Sequence, residues 1–110
     1  MNNDVYRKLS LAMRAGKVQS GGFQTEQTIK SEKAALVILA EDASDNTKKQ
    51  FRDMCAFRKV PWVIYGTKEA LGHSIGKEER SCLCVTDEGF RKMIEDTITK
   101  EKELNGGGNR

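Results

Sequence analysis

The run Leu36-Val37-Ile38-Leu39-Ala40 constrains this chain more than any other segment. A strand with one wet face would alternate apolar and polar residues, whereas this run is apolar throughout and must be covered on both faces. A sheet with helices on either side provides that cover. The run enters the acidic turn Glu41-Asp42-Ala43, and a helical stretch follows. Val60-Pro61 then opens a second strand, Trp62-Val63-Ile64-Tyr65, before a short helix bearing Leu71-Gly72 and Gly76.

The remaining segments alternate in the same way. Val5, Leu9, Ala12 and Met13 recur on one helical face, which predicts a helix over 4–15 with Asp4 capping its start and Gly16 ending it. Lys17-Val18-Gln19-Ser20 reads as a short strand before a Gly21-Gly22 turn, and a second helix is expected from Thr25 to Glu32. Ser44 or Asp45 caps a third helix whose buried stripe is Phe51, Met54 and Cys55. Thr67 caps a helix over 68–75, residues 82–85 form a last strand, and Asp87 caps a final helix. That helix sets Phe90, Met93, Ile94 and Ile98 on one side. The alternation predicts an α/β fold: a three-layer α/β/α sandwich around a small mixed sheet of about four strands. Residues 1–104 form a single domain in this reading, and the Gly-rich tail 105–110 is expected to be disordered.

Composition narrows the function classes. A chain of 110 residues, 32% charged and 37% hydrophobic, suits one globular domain. No apolar run approaches the ~20 residues of a membrane span, and Met1-Asn2-Asn3-Asp4 lacks the basic start of a secretory signal. Cys55, Cys82 and Cys84 cannot all pair within one chain, and each sits in an apolar segment. Reduced thiols in a cytoplasmic protein are the expectation. The net charge of +3 permits an acidic partner without requiring one, so the distribution of charge must decide.

Catalytic readings find little support. Cys82 and Cys84 share one face of a strand, but a metal site needs further soft ligands and His73 is the only histidine. Core packing accounts for both, and for Cys55 on its apolar stripe. Glu41 and Asp42 precede a helix whose first turn carries positive partial charge, which assigns them to turn and cap duty. No Ser or Cys nucleophile is marked near His73, and no phosphate loop or dinucleotide fingerprint is present. No metal, no cofactor and no catalytic residue are expected; the chain does not read as an enzyme.

The remaining signal is a charged rim. Lys17, Gln24, Thr25, Gln27 and Lys30 gather in sequence around the expected start of the second helix, while Ser44, Lys77 and Arg80 fall in loops. A helix start offers unpaired N–H groups to phosphate, and Lys and Gln contact phosphates and base edges.

Three stretches together resemble the ribosomal protein L7Ae/L30e superfamily of kink-turn RNA-binding folds. They are Ala34 through Ala43, Val60-Pro61, and Leu71-Gly72-His73-Ser74-Ile75-Gly76-Lys77. Leu11 through Lys17 and Val85 through Phe90 look like its bacterial YlxQ-like branch. The resemblance implies that RNA is gripped by the loop before the second helix and that helix's first turn. The motif there is Gly, any residue, Asn or Lys, Glu or Gln, two variable residues, then Lys. Laid on this chain it covers Gln24 to Lys30; Gln27 and Lys30 match and would face the guanines of sheared G·A pairs. Gln24 stands in place of the glycine, with Gly21-Gly22 upstream, and Glu26 stands where Asn or Lys is usual. A second grip is implied in Lys77-Glu78-Glu79-Arg80-Ser81, where Glu78 and Glu79 offer no stacking surface. Lys17, Lys77 and Arg80 would hold phosphates.

The function implied is a non-enzymatic RNA-binding protein acting on structured, ribosomal or kink-turn-like RNA in translation. Ribosome-associated proteins are further expected partners. The competing expectation is a protein-interaction adaptor that kept the fold, favoured by the mixed charge that Glu26, Glu78 and Glu79 give the rim.

Overall fold

Every residue of the second strand is buried, and its alternate side chains enter two separate cores. The computed structural model describes the backbone of residues 3–106 and the side chains of 3–104. Its elements are α1 (Asp4–Arg14), β1 (Val18–Ser20), α2 (Gly22–Lys30), β2 (Leu36–Leu39), α3 (Asp45–Arg58), β3 (Trp62–Ile64), α4 (Lys68–Ser74), β4 (Cys82–Val85) and α5 (Glu88–Gly106). Leu36 and Ile38 of β2 join Leu83 and Val85 of β4 beneath α1, α4 and α5, which supply Leu9, Leu71 and Ile94. Val37 and Leu39 join Cys82 and Cys84 against Ile29 of α2 and Phe51 and Cys55 of α3. The result is the three-layer sandwich that the unbroken apolar run requires.

The strand order is β1-β4-β2-β3, with β2 and β3 parallel and β4 antiparallel to both β1 and β2. The register pairs Leu39 with Cys82 and Ser20 with Leu83. One end of the sheet therefore gathers the exits of β1, β2 and β3 and the start of β4. The other end holds Val18, Val85, Leu36 and Trp62.

Most helix ends follow local chemistry. Ser44, Thr67 and Asp87 accept from Thr47, Ala70 and Phe90 N–H, capping α3, α4 and α5. Gly16 takes a positive φ of 75° just past α1. The α1 cap is Asn3 rather than Asp4; Asn3 accepts from Tyr6 N–H, leaving Asp4 as the first-turn acid. The larger departure is α2, which starts at Gly22, three residues before the expected Thr25. α5 continues through Asn105 to Gly106, and the rest of the expected tail, 107–110, lies outside the described residues. None of the described helices is long and apolar enough to cross a membrane.

The cysteines are free and buried. Burial, reinforced by neighbouring thiols, raises Cys55 from 9.0 to about 11 and Cys84 to about 12, and burial raises Cys82 too. Because the folded state holds these protons more tightly than the unfolded chain, their stabilisation is full below about pH 9 and fades as pH climbs toward 12. Urea midpoints should fall steadily above pH 9, and fall less steeply in Cys84→Ala relative to its own neutral value. A flat profile would contradict this burial. Among the described residues, no three of His, Cys, Asp or Glu gather as a metal site.

Candidate nucleic-acid interface

The start of α2 differs from the other helix starts. Gly21, at its N-cap, has φ 90° and ψ 161°, a conformation open essentially to glycine alone. No side chain caps this end, and its first turn carries no acid. The Gly21 N–H bonds the Cys82 carbonyl at 3.1 Å and the Thr25 N–H returns to the Gly21 carbonyl at 3.0 Å. The N–H groups of Gly22, Phe23 and Gln24 therefore point outward with the positive end of the dipole behind them. Nothing lies within 4 Å of a Cβ built on Gly22, so a ligand backbone has room to approach.

Helical spacing sets which side chains accompany those N–H groups. Thr25, Thr28 and Ile29 face the sheet, so Phe23, Gln24 and Gln27 face out. Phe23 is 70% exposed, an aromatic ring beside an anion-attracting helix end. Thr25, expected to contact a ligand, is 0% exposed and faces the sheet, away from the surface where a ligand would bind. Glu26 lies in the second turn, where its carboxylate bonds Lys30 at 2.8 Å instead of crowding the helix start.

The loop after α4 sits against the same end. Arg80 binds three groups: its Nε donates to Ser20 Oγ at 3.1 Å, and its NH1 donates to the Glu79 and Glu78 carbonyls at 2.9 and 3.3 Å. It thereby fastens the loop to the exit of β1, immediately before α2. The Lys77 and Arg80 N–H groups bond the Gly72 and Lys68 carbonyls at 2.8 and 3.0 Å, leaving the Lys77 side chain exposed. Ser44 belongs to this end too, but its hydroxyl is engaged with Thr47. Glu41, Asp42, Glu78 and Glu79 are exposed there as well.

Gln24, Gln27, Ser44, Lys77 and Arg80 thus share one end of the sheet, and Lys17 and Lys30 do not. Lys17 precedes Val18, about 10 Å from Ser20 along an extended chain. Lys30 ends α2, about 12 Å from its first residue at 1.5 Å per residue. Both were expected beside the helix start because sequence distance conceals how a strand and a helix separate their ends. Phe23, which the structure sets beside the helix start, was not among the candidate residues, and Gly21 was noted only as lying upstream of the motif. The core stripe at Thr28 and Ile29, extended backward by helical spacing, carried the signal that Phe23 faces outward.

The fold is a three-layer α/β/α sandwich that presents an uncapped, glycine-led helix start beside a fastened loop. Residues 3–95 match the Ribosomal protein L7Ae/L30e/S12e/Gadd45 family, and the chain belongs to it. It is 48% identical over 86 residues to the RNA-binding protein YlxQ of Bacillus subtilis (strain 168), covering 78% of this chain and 86% of that protein. The RNA-binding protein YlxQ of Enterococcus faecium is 38% identical over 90 residues, covering 82% and 86%. A Bacillus halodurans C protein of unknown function has a solved structure that aligns with TM-score 0.85 and 33% identity, covering 89% of this chain and 99% of that one. A Giardia lamblia 15.5kD RNA binding protein shares the fold, with TM-score 0.73, 20% identity and coverage of 94% and 92%.

Proposed function

We propose that this chain is a non-enzymatic RNA-binding protein that grips structured RNA of the kink-turn type where α2 begins. Its setting is the ribosome or translation, in the cytoplasm. The observation that carries the reading is the uncapped, acid-free α2 start on a positive-φ glycine, in a chain whose relatives are named RNA-binding proteins. That start also supports a different frame for the family motif, with its glycine at Gly21 and not at Gln24. Gln24 then takes the Glu or Gln position, Gln27 the final Lys position, and Phe23 the position of Asn or Lys. Phosphate meets the N–H groups of Gly22, Phe23 and Gln24; Gln24 and Gln27 address base edges; Lys77 and Arg80 hold the flanking strand.

Titrating the protein against a kink-turn hairpin and a straight duplex at two salt concentrations tests this directly. The expected result is at least tenfold tighter binding of the kinked RNA at both. Equal, negligible binding to both would remove kink-turn recognition, whereas equal binding with a steep salt slope would define a general RNA binder. An adaptor function draws on the exposed Glu41, Asp42, Glu78 and Glu79 at the same end. It predicts partners that survive RNase treatment and no crosslink of RNA to Phe23 or Gln27.

A further inference from the structure

The opposite end of the sheet carries a second surface that combines aromatic rings with cations. Phe57, in the last turn of α3, is 81% exposed, and the Arg58 guanidinium carbon lies 5.7 Å from its ring centroid. Arg58 NH1 also donates to the Lys30 carbonyl at 3.4 Å, which holds the guanidinium near α2. Lys59 ends α3 in the left-handed conformation, φ 61°, and turns the chain toward the edge strand β3. Trp62 opens that strand, 37% exposed. It pairs with Val37, so its side chain shares the sheet face covered by α2 and α3. Phe57 lines a depression of about 400 Å³ together with Ile29, Ala34 and Val60.

Charge selects the occupant. Arg58 and Lys59 line the depression with Glu32 as the opposing carboxylate, Lys33 is exposed next to it, and Lys30 is held by Glu26. A second copy of the chain would set cations against cations here. A nucleotide fits both halves of the surface: its base has a flat apolar face for the ring, and its phosphate meets the cations. Phe57 is exposed as a free ring face, and a base can stack on it only when it is released from a duplex, which a flexible single strand offers.

We propose that this end binds single-stranded RNA, with a base stacked on Phe57 and the adjacent phosphates on Arg58, Lys59 and Lys33. The surface is separate from the α2 start, so the domain holds two RNA segments at once, a folded one and an extended one. Trp62, the chain's single tryptophan, reports on this end alone.

Titration of octauridylate into the full chain at low salt should quench Trp62 fluorescence, in parallel with rising anisotropy of a labelled copy of the same oligonucleotide. Phe57→Ala combined with Arg58→Ser should weaken the anisotropy signal at least tenfold while leaving the far-ultraviolet spectrum unchanged. Phe23→Glu, at the other end, should leave octauridylate binding intact, which separates failure here from failure of the kink-turn reading. Binding insensitive to the double substitution, or lost in Phe23→Glu alone, would overturn the proposal. So would no quenching at low salt, or protein self-association abolished by Phe57→Ala.

Discussion

Replacing Gly72 by alanine is expected to cost the fold about 2 kcal/mol or more, lowering its melting temperature by roughly 10 °C. A Cβ at this position would lie 1.8 Å from the Glu78 carbonyl oxygen, 2.6 Å from its carbon and 3.1 Å from the Glu79 Cα. All three are backbone atoms, so no rotamer change relieves the collision. Alanine gains up to about 1 kcal/mol of helix propensity over glycine, and a contact this short outweighs it. The loop must lift away, breaking the Lys77 and Arg80 bonds to the carbonyls of Gly72 and Lys68. Thermal melting by circular dichroism measures the first effect and proteolysis within 77–81 the second. Gly22→Ala is the matched control: with open space around its Cβ and no positive φ, it should leave stability unchanged or slightly raised. An unaltered melt for Gly72→Ala would mean that α4 and the loop are not packed as described.

Phe23→Glu is expected to move stability and RNA affinity in opposite directions. A carboxylate in the first turn of a helix that has neither cap nor acid should stabilise it by about 0.3–1 kcal/mol. The same carboxylate occupies the positive end that a phosphate would use, and the substitution removes a ring face worth ~1–3 kcal/mol to a stacked base. Affinity for a kink-turn hairpin should fall at least tenfold, read by anisotropy, while the melting temperature holds or rises. Phe23→Trp should retain binding. If Phe23→Glu binds as tightly as the parent, the interface lies away from the α2 start and the proposed frame for the motif fails with it.

The parts of this structure that were legible in sequence are those governed by near neighbours. Ser44, Thr67 and Asp87 cap their helices because a side-chain oxygen reaches an N–H three residues on. The burial of Leu36 to Leu39 follows from their lack of alternation. α2 was misread because Gly21-Gly22 looks like a turn and its helical pattern is weak. Its start is fixed by contacts distant in sequence: the Gly21 bond to Cys82 and the packing of Ile29 among β2, α3 and β4 residues.

The candidate site divides along the same line. Periodicity, caps and an unbroken apolar strand determined by themselves that this chain folds as helices around a covered sheet, since each signal acts within a few residues. Which of its cations stand together was decided only by the register and direction of the strands and the length of α2. That arrangement set Arg80 against Ser20 and sent Lys17 and Lys30 away from the α2 start, because charges interact through space and only the assembled strands and helices fix the distances between them.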